Sequence, residues 1–141
     1  MDPTELAAAA NLELQGHLPA HLGIVFEEIA ADRAVATMAV RTVLMATNGF
    51  LHAGAVTTLA DTVCATACQK GLPAGATNFT TLELKSNFLG TTREGLVRCE
   101  GVRLHGGRTT QVWDAVVTDL ASGRKLALFR ATQLILYAPA G

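Results

Sequence analysis

One long apolar segment constrains the fold of this chain more than any other feature. Residues 53–69, AGAVTTLADTVCATACQ, are Ala, Gly, Val, Leu, Thr and Cys with a closing Gln and a single ionisable acid, Asp61. The segment lacks the β-branched density of a strand, and Gly71 provides a stop signal, so we predict a helix over about residues 52–70. A helix that is apolar on nearly all sides must be buried on nearly all sides.

The rest of the chain predicts the sheet that buries this helix. Six segments have strand character: residues 23–29, 33–40, 79–89, 96–105, 108–120 and 125–137. Short links such as GTTREG, HGG and ASG are typical of hairpins, which favours an antiparallel sheet. We expect an α+β fold in which this sheet curls around the helix, or in which two copies cover the helix together.

Smaller local features complete the predicted fold. A short helix over residues 4–14, capped by Thr4, and a turn-like connector LPAHLG precede the first strand. The alternation of apolar residues slips at Gly101, which predicts a β-bulge there. We expect a single domain over residues 1–141, with residues 1–22 as an N-terminal helix and connector.

Composition excludes several classes of protein. Half of the residues are hydrophobic and 16% are charged, which favours a subunit interface. The net charge is −1 and no basic cluster is present, so we expect no nucleic-acid partner. Asp2 and Glu5 stand where a secretory signal peptide would be basic, so we expect no such signal. The apolar helix is too short and too polar to be a membrane span. Three cysteines without paired spacing favour a reducing cytoplasm.

The lone carboxylate is the first candidate for chemistry. Asp61 is flanked by Leu59, Val63 and Cys64 in the apolar helix. It is either a surface carboxylate at a solvent gap or subunit seam, or a desolvated group with a raised pKa. Desolvated carboxylates are costly and concentrate at functional sites, so we favour the second interpretation.

The predicted helix start is the second candidate. The first N–H groups of a helix have no intrahelical partner and suit an oxyanion, and Ala53 and Gly54 would supply them behind small side chains. His52 stands just before them. It either bonds to the backbone as a helix-terminus residue or takes part in the site.

Two further patterns are weaker. Four side chains of zinc-binding type occur in pairs: His17, His21, Cys64 and Cys68. Because the cysteines lie in the apolar helix, we expect a core role for them and no metal. The segment HGGRTTQVWD is a hairpin tip that is either simply solvated or binds an anion through three residues: Arg108, Thr109 and Thr110.

These residues together resemble a known family. GFLHAGAVTTLADT is similar to the helix-start signature of the hotdog-fold acyl-CoA thioesterases, G-x-[LV]-H-G-G-x-x-x-x-L-x-[DE]. With VRLHGGRTT and SGRKLALFRATQLIL the resemblance covers nearly the whole chain. It is to the phenylacetate-degradation (PaaI-like) type and the related aromatic, 4-hydroxybenzoyl-CoA, thioesterases. It implies an antiparallel sheet around one helix, edge-to-edge dimers that form a dimer of dimers, and active sites between subunits.

The resemblance also implies roles for particular residues. The family acid falls on Asp61, a nucleophile or a general base, and the carbonyl-polarising amide falls on Ala53, where relatives usually have Gly. The other positions carried over are His52 near the thioester, Thr81 as a strand hydroxyl, Asn48 as the amide that some relatives place before the His, and Arg108, Thr109 and Thr110 near the nucleotide of coenzyme A.

We therefore expect an acyl-CoA thioesterase whose substrate is an acyl-CoA, possibly of aryl or phenylacetyl type, without a metal or separate cofactor. Two alternatives stay open. One is an enoyl-CoA hydratase of the same fold, and the other is a non-catalytic acyl-CoA-binding module.

Overall fold

The structure is a computed structural model and describes residues 1–140; Gly141, the last residue of the predicted domain, lies outside them. Its helices and strands are α1 (Pro3–Glu13), α2 (Leu18–His21), β1 (Ile24–Ile29), β2 (Arg33–Ala39), a 3-10 turn (Thr42–Leu44), α3 (Ala53–Lys70), β3 (Ala76–Phe88), β4 (Leu96–Gly106), β5 (Thr110–Asp119) and β6 (Lys125–Tyr137).

The six strands form one antiparallel sheet in the order β1-β2-β4-β5-β6-β3. Helix α3 packs against every strand of this sheet, so the predicted curled sheet around a central helix is confirmed. Strands β1 and β3 are the two edges. Among residues 1–140, no helix has the length and hydropathy needed to cross a membrane.

Helix α3 has the bounds that its sequence predicts. Its buried face is formed by nine residues: Ala55, Val56, Leu59, Ala60, Thr62, Val63, Cys64, Ala67 and Cys68. His52 is the N-cap and Gly71 the C-cap. A Cβ atom on Gly71 would lie 2.8 Å from the carbonyl oxygen of Ala31, so only glycine fits where the helix ends against the β1–β2 turn.

Gly101 brings α3 close to the sheet, and the β-bulge predicted at Gly101 is wrong. Gly101 pairs in regular register with Ala34 and Ala115, and the register of β4 shifts later, between Arg103 and His105. A Cβ atom on Gly101 would lie 2.9 Å from Cγ1 of the Val63 side chain. The glycine therefore leaves room for the helix rather than for an extra residue in the strand.

The N-terminal segment differs from prediction in two details. Asp2, not Thr4, caps α1, because its carboxylate accepts from the Thr4 N–H at 2.8 Å and Glu5 completes a capping box. The segment predicted as a turn-like connector, LPAHLG, contains the short helix α2.

Helix α1 covers the β1 edge of the sheet. The side-chain amide of Asn11 donates to the carbonyl oxygen of Phe26 at 2.9 Å, and the Phe26 N–H donates to Asn11 Oδ1 at 2.8 Å. These are backbone groups of β1 that a further strand would need. The β3 edge instead carries exposed apolar side chains, among them Leu82, Leu84 and Phe88.

Candidate active site

Asp61 lies in the middle of α3 and is half-buried. Its Oδ1 atom is fully buried, and within residues 1–140 it has no hydrogen-bond partner. Burial raises the pKa of this carboxyl above its ordinary value. The carboxylate is therefore desolvated and uncompensated inside one chain, as the second interpretation of its sequence context predicts.

The start of α3 presents one backbone donor to solvent. The Gly54 N–H, which the sequence offers as a second donor, instead donates to Nδ1 of His52 at 2.8 Å. The residues described contain no acceptor for the Ala53 N–H, and Ala53 is exposed. The start of the helix therefore leaves the Ala53 amide as the group that can polarise a carbonyl oxygen.

The hydrogen bond from the Gly54 N–H to His52 also determines the tautomer of the imidazole ring. Because Nδ1 accepts a hydrogen bond, the proton of the neutral ring is on Nε2, which becomes a donor. His52 is exposed and lines the cleft beside Ala53. The structure thus combines the two interpretations of its position, since the ring caps the helix and still presents an N–H group.

A cleft of about 530 Å³ opens at this helix start. Its walls are mainly apolar, with two aromatic rings, and the lining residues are Ala46, Asn48, Phe50, Leu51, His52, Ala53, Val56, Phe88, Leu89, Gly90 and Thr91. Asn48 lies in this wall, and its side-chain oxygen accepts from the Phe50 N–H at 3.4 Å. The size and lining are those of a small-molecule site.

Hydroxyl groups lie between the helix and β3. The Thr57 and Ser86 hydroxyl oxygens are 3.3 Å apart, and Thr57 is one helical turn before Asp61. The Thr81 hydroxyl donates to Oε1 of Gln133 at 2.7 Å. Sequence reasoning singled out neither Ser86 nor Gln133. For Gln133 the available signal is an amide among the inward-facing positions of β6, which are otherwise apolar.

The predicted nucleotide-binding tip lies at the other end of the sheet. Arg108 and Thr109 are exposed at the β4–β5 turn, and Thr110 begins β5. The Arg108 guanidinium lies over the ring of Tyr137, 4.8 Å from its centroid, and Tyr137 ends β6. The start of α3 lies near Phe88, at the end of β3, so one chain cannot bring the tip and the cleft together.

The four side chains of zinc-binding type do not converge. No group of three or more His, Cys, Asp or Glu side chains in the described part of the chain is placed to hold a metal ion. Cys64 and Cys68 are buried and unpaired in α3, and burial raises the pKa of the Cys68 thiol to about 11. These cysteines belong to the core, as predicted.

The antiparallel sheet wrapped around one central helix is the hotdog architecture. The family model described as Thioesterase superfamily matches residues 48–124. The chain belongs to this superfamily, so the predicted family and hotdog fold are confirmed, and the expectation of a hydrolase acting on thioester bonds is confirmed at the level of the family.

Curated relatives cover nearly the whole chain. The 1,4-dihydroxy-2-naphthoyl-CoA hydrolase of Escherichia coli K12 is 34% identical over 131 residues, which are 91% of this chain and 93% of that protein. The proofreading thioesterase EntH of Cronobacter sakazakii is 33% identical over 128 residues, 91% of this chain and 92% of that protein.

Solved structures agree in fold. Thioesterase HI1161 of Haemophilus influenzae superposes with a TM-score of 0.86 at 26% identity, covering 93% of this chain and 90% of that one. The E. coli PaaI protein of the phenylacetic acid degradation operon superposes with a TM-score of 0.82 at 23% identity, covering 95% and 96%.

Proposed function

We propose that this protein hydrolyses the thioester of an acyl-CoA at a site formed by two copies of the chain. The observation that carries the proposal is the desolvated carboxylate of Asp61, which has a fully buried oxygen without a partner. Burying a carboxylate without a partner lowers the stability of the folded protein. A carboxylate in this position can serve as the general base that takes a proton from an attacking water. The exposed amide of Ala53 and the cleft beside it supply the other half of the reaction.

Spacing along α3 explains why two copies are needed. Ala53 and Asp61 are eight residues apart, which is about 12 Å along a helix axis. A reacting carbonyl must lie about 3 Å from the group that stabilises its oxygen and close to the attacking water as well. The amide of one subunit therefore works with Asp61 of the partner subunit.

The β3 edge supports the pairing of the two copies. It is an open edge with exposed Leu82, Leu84 and Phe88, whereas β1 is covered by α1. Antiparallel pairing of β3 with its copy runs the two subunits in opposite directions. The β4–β5 tip of the partner then lies at the same end of the joint sheet as the cleft, so that its Arg108, Thr109 and Thr110 face the nucleotide of coenzyme A.

The chemistry follows from this arrangement. The thioester carbonyl accepts from the Ala53 N–H, and the start of α3 stabilises the negative charge that develops on its oxygen. Asp61 takes a proton as the water oxygen bonds to the carbonyl carbon, and the π electron pair moves to the oxygen. When the carbonyl re-forms, the C–S bond breaks and coenzyme A leaves as a thiolate, which takes up a proton.

The lining of the cleft supports an aromatic acyl group. Phe50, Phe88 and Leu89 line it beside Ala53, and aromatic rings favour offset or edge-on contacts with another ring. The E. coli relative is named as a hydrolase of 1,4-dihydroxy-2-naphthoyl-CoA, whose acyl group is aromatic. We extend the proposal to a dimer of dimers in the cytoplasm; the three unpaired cysteines support a reducing compartment.

The test is release of free thiol, followed with a thiol-reactive dye, over a panel of aromatic and aliphatic acyl-CoAs. We expect turnover with aryl-CoA substrates and a loss on the order of 100-fold or more in Asp61→Asn. Acyl-pantetheine substrates should show a higher KM than the matching acyl-CoAs, because they lack the nucleotide. Equal turnover by the wild type and a folded Asp61→Asn variant would refute the proposal, and binding without turnover would favour the non-catalytic module.

A further inference from the structure

Contacts between α3 and β3 show which segment of β3 lies opposite Asp61. Thr57, Asp61 and Ala65 are spaced four residues apart and lie on one side of α3. Thr57 contacts Ser86 of β3, and Ala65 lines a small pocket together with Phe79 of β3.

Asp61 therefore faces the part of β3 between those two contacts. Thr81 lies in that part of the strand, and its hydroxyl points into the sheet toward β6, where Gln133 is its cross-strand partner. The carboxylate is thus oriented toward the segment of β3 that carries the Thr81–Gln133 pair.

Gln133 has an unused donor. The residue is 0% exposed, its Oε1 accepts the Thr81 hydroxyl proton at 2.7 Å, and its Nε2 is buried without a partner. Among residues 1–140, the buried side-chain polar atoms without a partner are this donor and the Asp61 Oδ1 acceptor. A buried amide N–H without an acceptor is costly, so a small ligand that satisfies both atoms is expected.

The hydrogen bond from the Thr81 hydroxyl to Gln133 also determines the hydrogen-bonding role that is left to Thr81. Because its hydroxyl proton is held by Gln133, the Thr81 oxygen can only accept further hydrogen bonds. The three groups are then two acceptors, Asp61 and Thr81, and one donor, Gln133. A water molecule has two protons and two lone pairs, and this set uses both protons and one lone pair.

We propose that Gln133 and Thr81 hold the attacking water beside Asp61, a role that rests on the proposed hydrolysis. The water donates to Asp61 Oδ1 and to Thr81 Oγ1 and accepts from Gln133 Nε2. Its remaining lone pair forms the new bond to the thioester carbon, the proton it shares with Asp61 passes to the carboxylate, and the thiolate leaves as described above. Gln133 contacts the reacting water directly and positions Thr81 as an acceptor.

The chain offers a matched control in Gln111. It is the cross-strand neighbour of Gln133 on β5, it is 1% exposed, and its Oε1 accepts from the Trp113 indole N–H at 2.8 Å. Gln133→Met and Gln111→Met therefore remove buried amides of the same kind from adjacent strands. We expect only Gln133→Met to lower kcat, by on the order of 10- to 100-fold at nearly constant KM.

A second measurement does not depend on activity. In the wild-type protein, cross-relaxation between the Gln133 side-chain amide protons and a bound water should be detectable by NMR. It should weaken in Thr81→Val and persist in Thr81→Ser, which keeps the hydroxyl. Absence of this water signal in the wild type, or a Gln133→Met variant with normal kcat, would overturn the inference.

The two proposals fail in different ways. If the wild type hydrolyses no acyl-CoA while the Gln133 water signal is present, the proposed function is wrong and the water site stands. If the wild type is active, Asp61→Asn is inactive, and Gln133→Met has the same kcat as Gln111→Met, then the assignment of Gln133 is wrong and the hydrolytic function stands.

Discussion

Replacing Asp61 by Asn should stabilise the folded protein while it removes activity. The carboxylate has one buried oxygen without a partner, and burial raises its pKa, so the folded state carries a cost whenever this group is ionised. Asn has nearly the same shape and no charge. A gain in stability that accompanies a loss of function is the signature expected of a residue kept for chemistry.

The size of the gain follows from the burial of Asp61. A buried polar group without a partner costs about 1–3 kcal/mol. Asp61 is only half-buried, and the Asn amide still lacks partners, so we expect about 1 kcal/mol, at the low end of that range. For a chain of this length that corresponds to a rise in Tm of roughly 3–5 °C.

The gain should depend on pH in one direction. Asp61 ionises at a higher pH in the folded state than its ordinary value of 3.8, so the folded state binds this proton more tightly than the unfolded state does. Well below pH 3.8 the group is neutral in both states and contributes no difference. As the pH rises from there through the raised folded pKa, the wild type should lose stability relative to Asp61→Asn and then remain at a constant deficit.

The assay is urea denaturation between pH 3 and pH 8. Protein concentration is held fixed, since the proposed pairing of subunits would make stability depend on concentration. Asp32→Asn is the control, because Asp32 is an exposed acid in the β1–β2 turn. We expect it to change stability little at any pH. A wild type that is more stable than Asp61→Asn at pH 8, or a difference that does not vary with pH, would refute this account of the carboxylate.

Three further predictions concern the fold and its edges. Gly101→Ala should destabilise the protein by about 1–3 kcal/mol in the same assay, because the new Cβ would lie 2.9 Å from a methyl carbon of Val63; unchanged stability would contradict the close approach. Asn11→Ala should cost about 1–3 kcal/mol and increase aggregation seen by light scattering, because both side-chain bonds to β1 are lost. Leu82→Glu should shift the sedimentation coefficient toward a monomer, whereas Leu104→Glu, which is equally exposed on β4, should not.

The sequence predicts the central helix well because the signal is redundant. Apolar composition, length and the Gly71 stop all indicate α3, and its bounds agree with the structure to one residue. The slip of alternation at Gly101 predicts a β-bulge, and this prediction is wrong. One sequence pattern fits both a bulge at the glycine and a glycine that makes room for Val63, and only the packing of α3 on β4 distinguishes them.

The site is predictable where it lies within one segment. Asp61 and the start of α3 stand out in the sequence, but the hydrogen bond that commits the Gly54 N–H to His52 depends on the rotamer of the ring. The sequence does not indicate Gln133, because its proposed role depends on a hydrogen bond with its cross-strand partner Thr81, which is 52 residues away in the chain. Such pairs depend on strand order and register, which the order of residues alone leaves open.

The contact between Asn11 and β1 has a consequence for growth of the assembly. A sheet with two open edges can add copies at both ends without limit and become a fibre. Here one side-chain amide occupies backbone groups of Phe26 at one edge, so only β3 is left to recruit another chain. If β3 pairs with its copy, as we propose, addition along the sheet terminates after that single step, and Asn11, which is far from the cleft, helps to close the assembly.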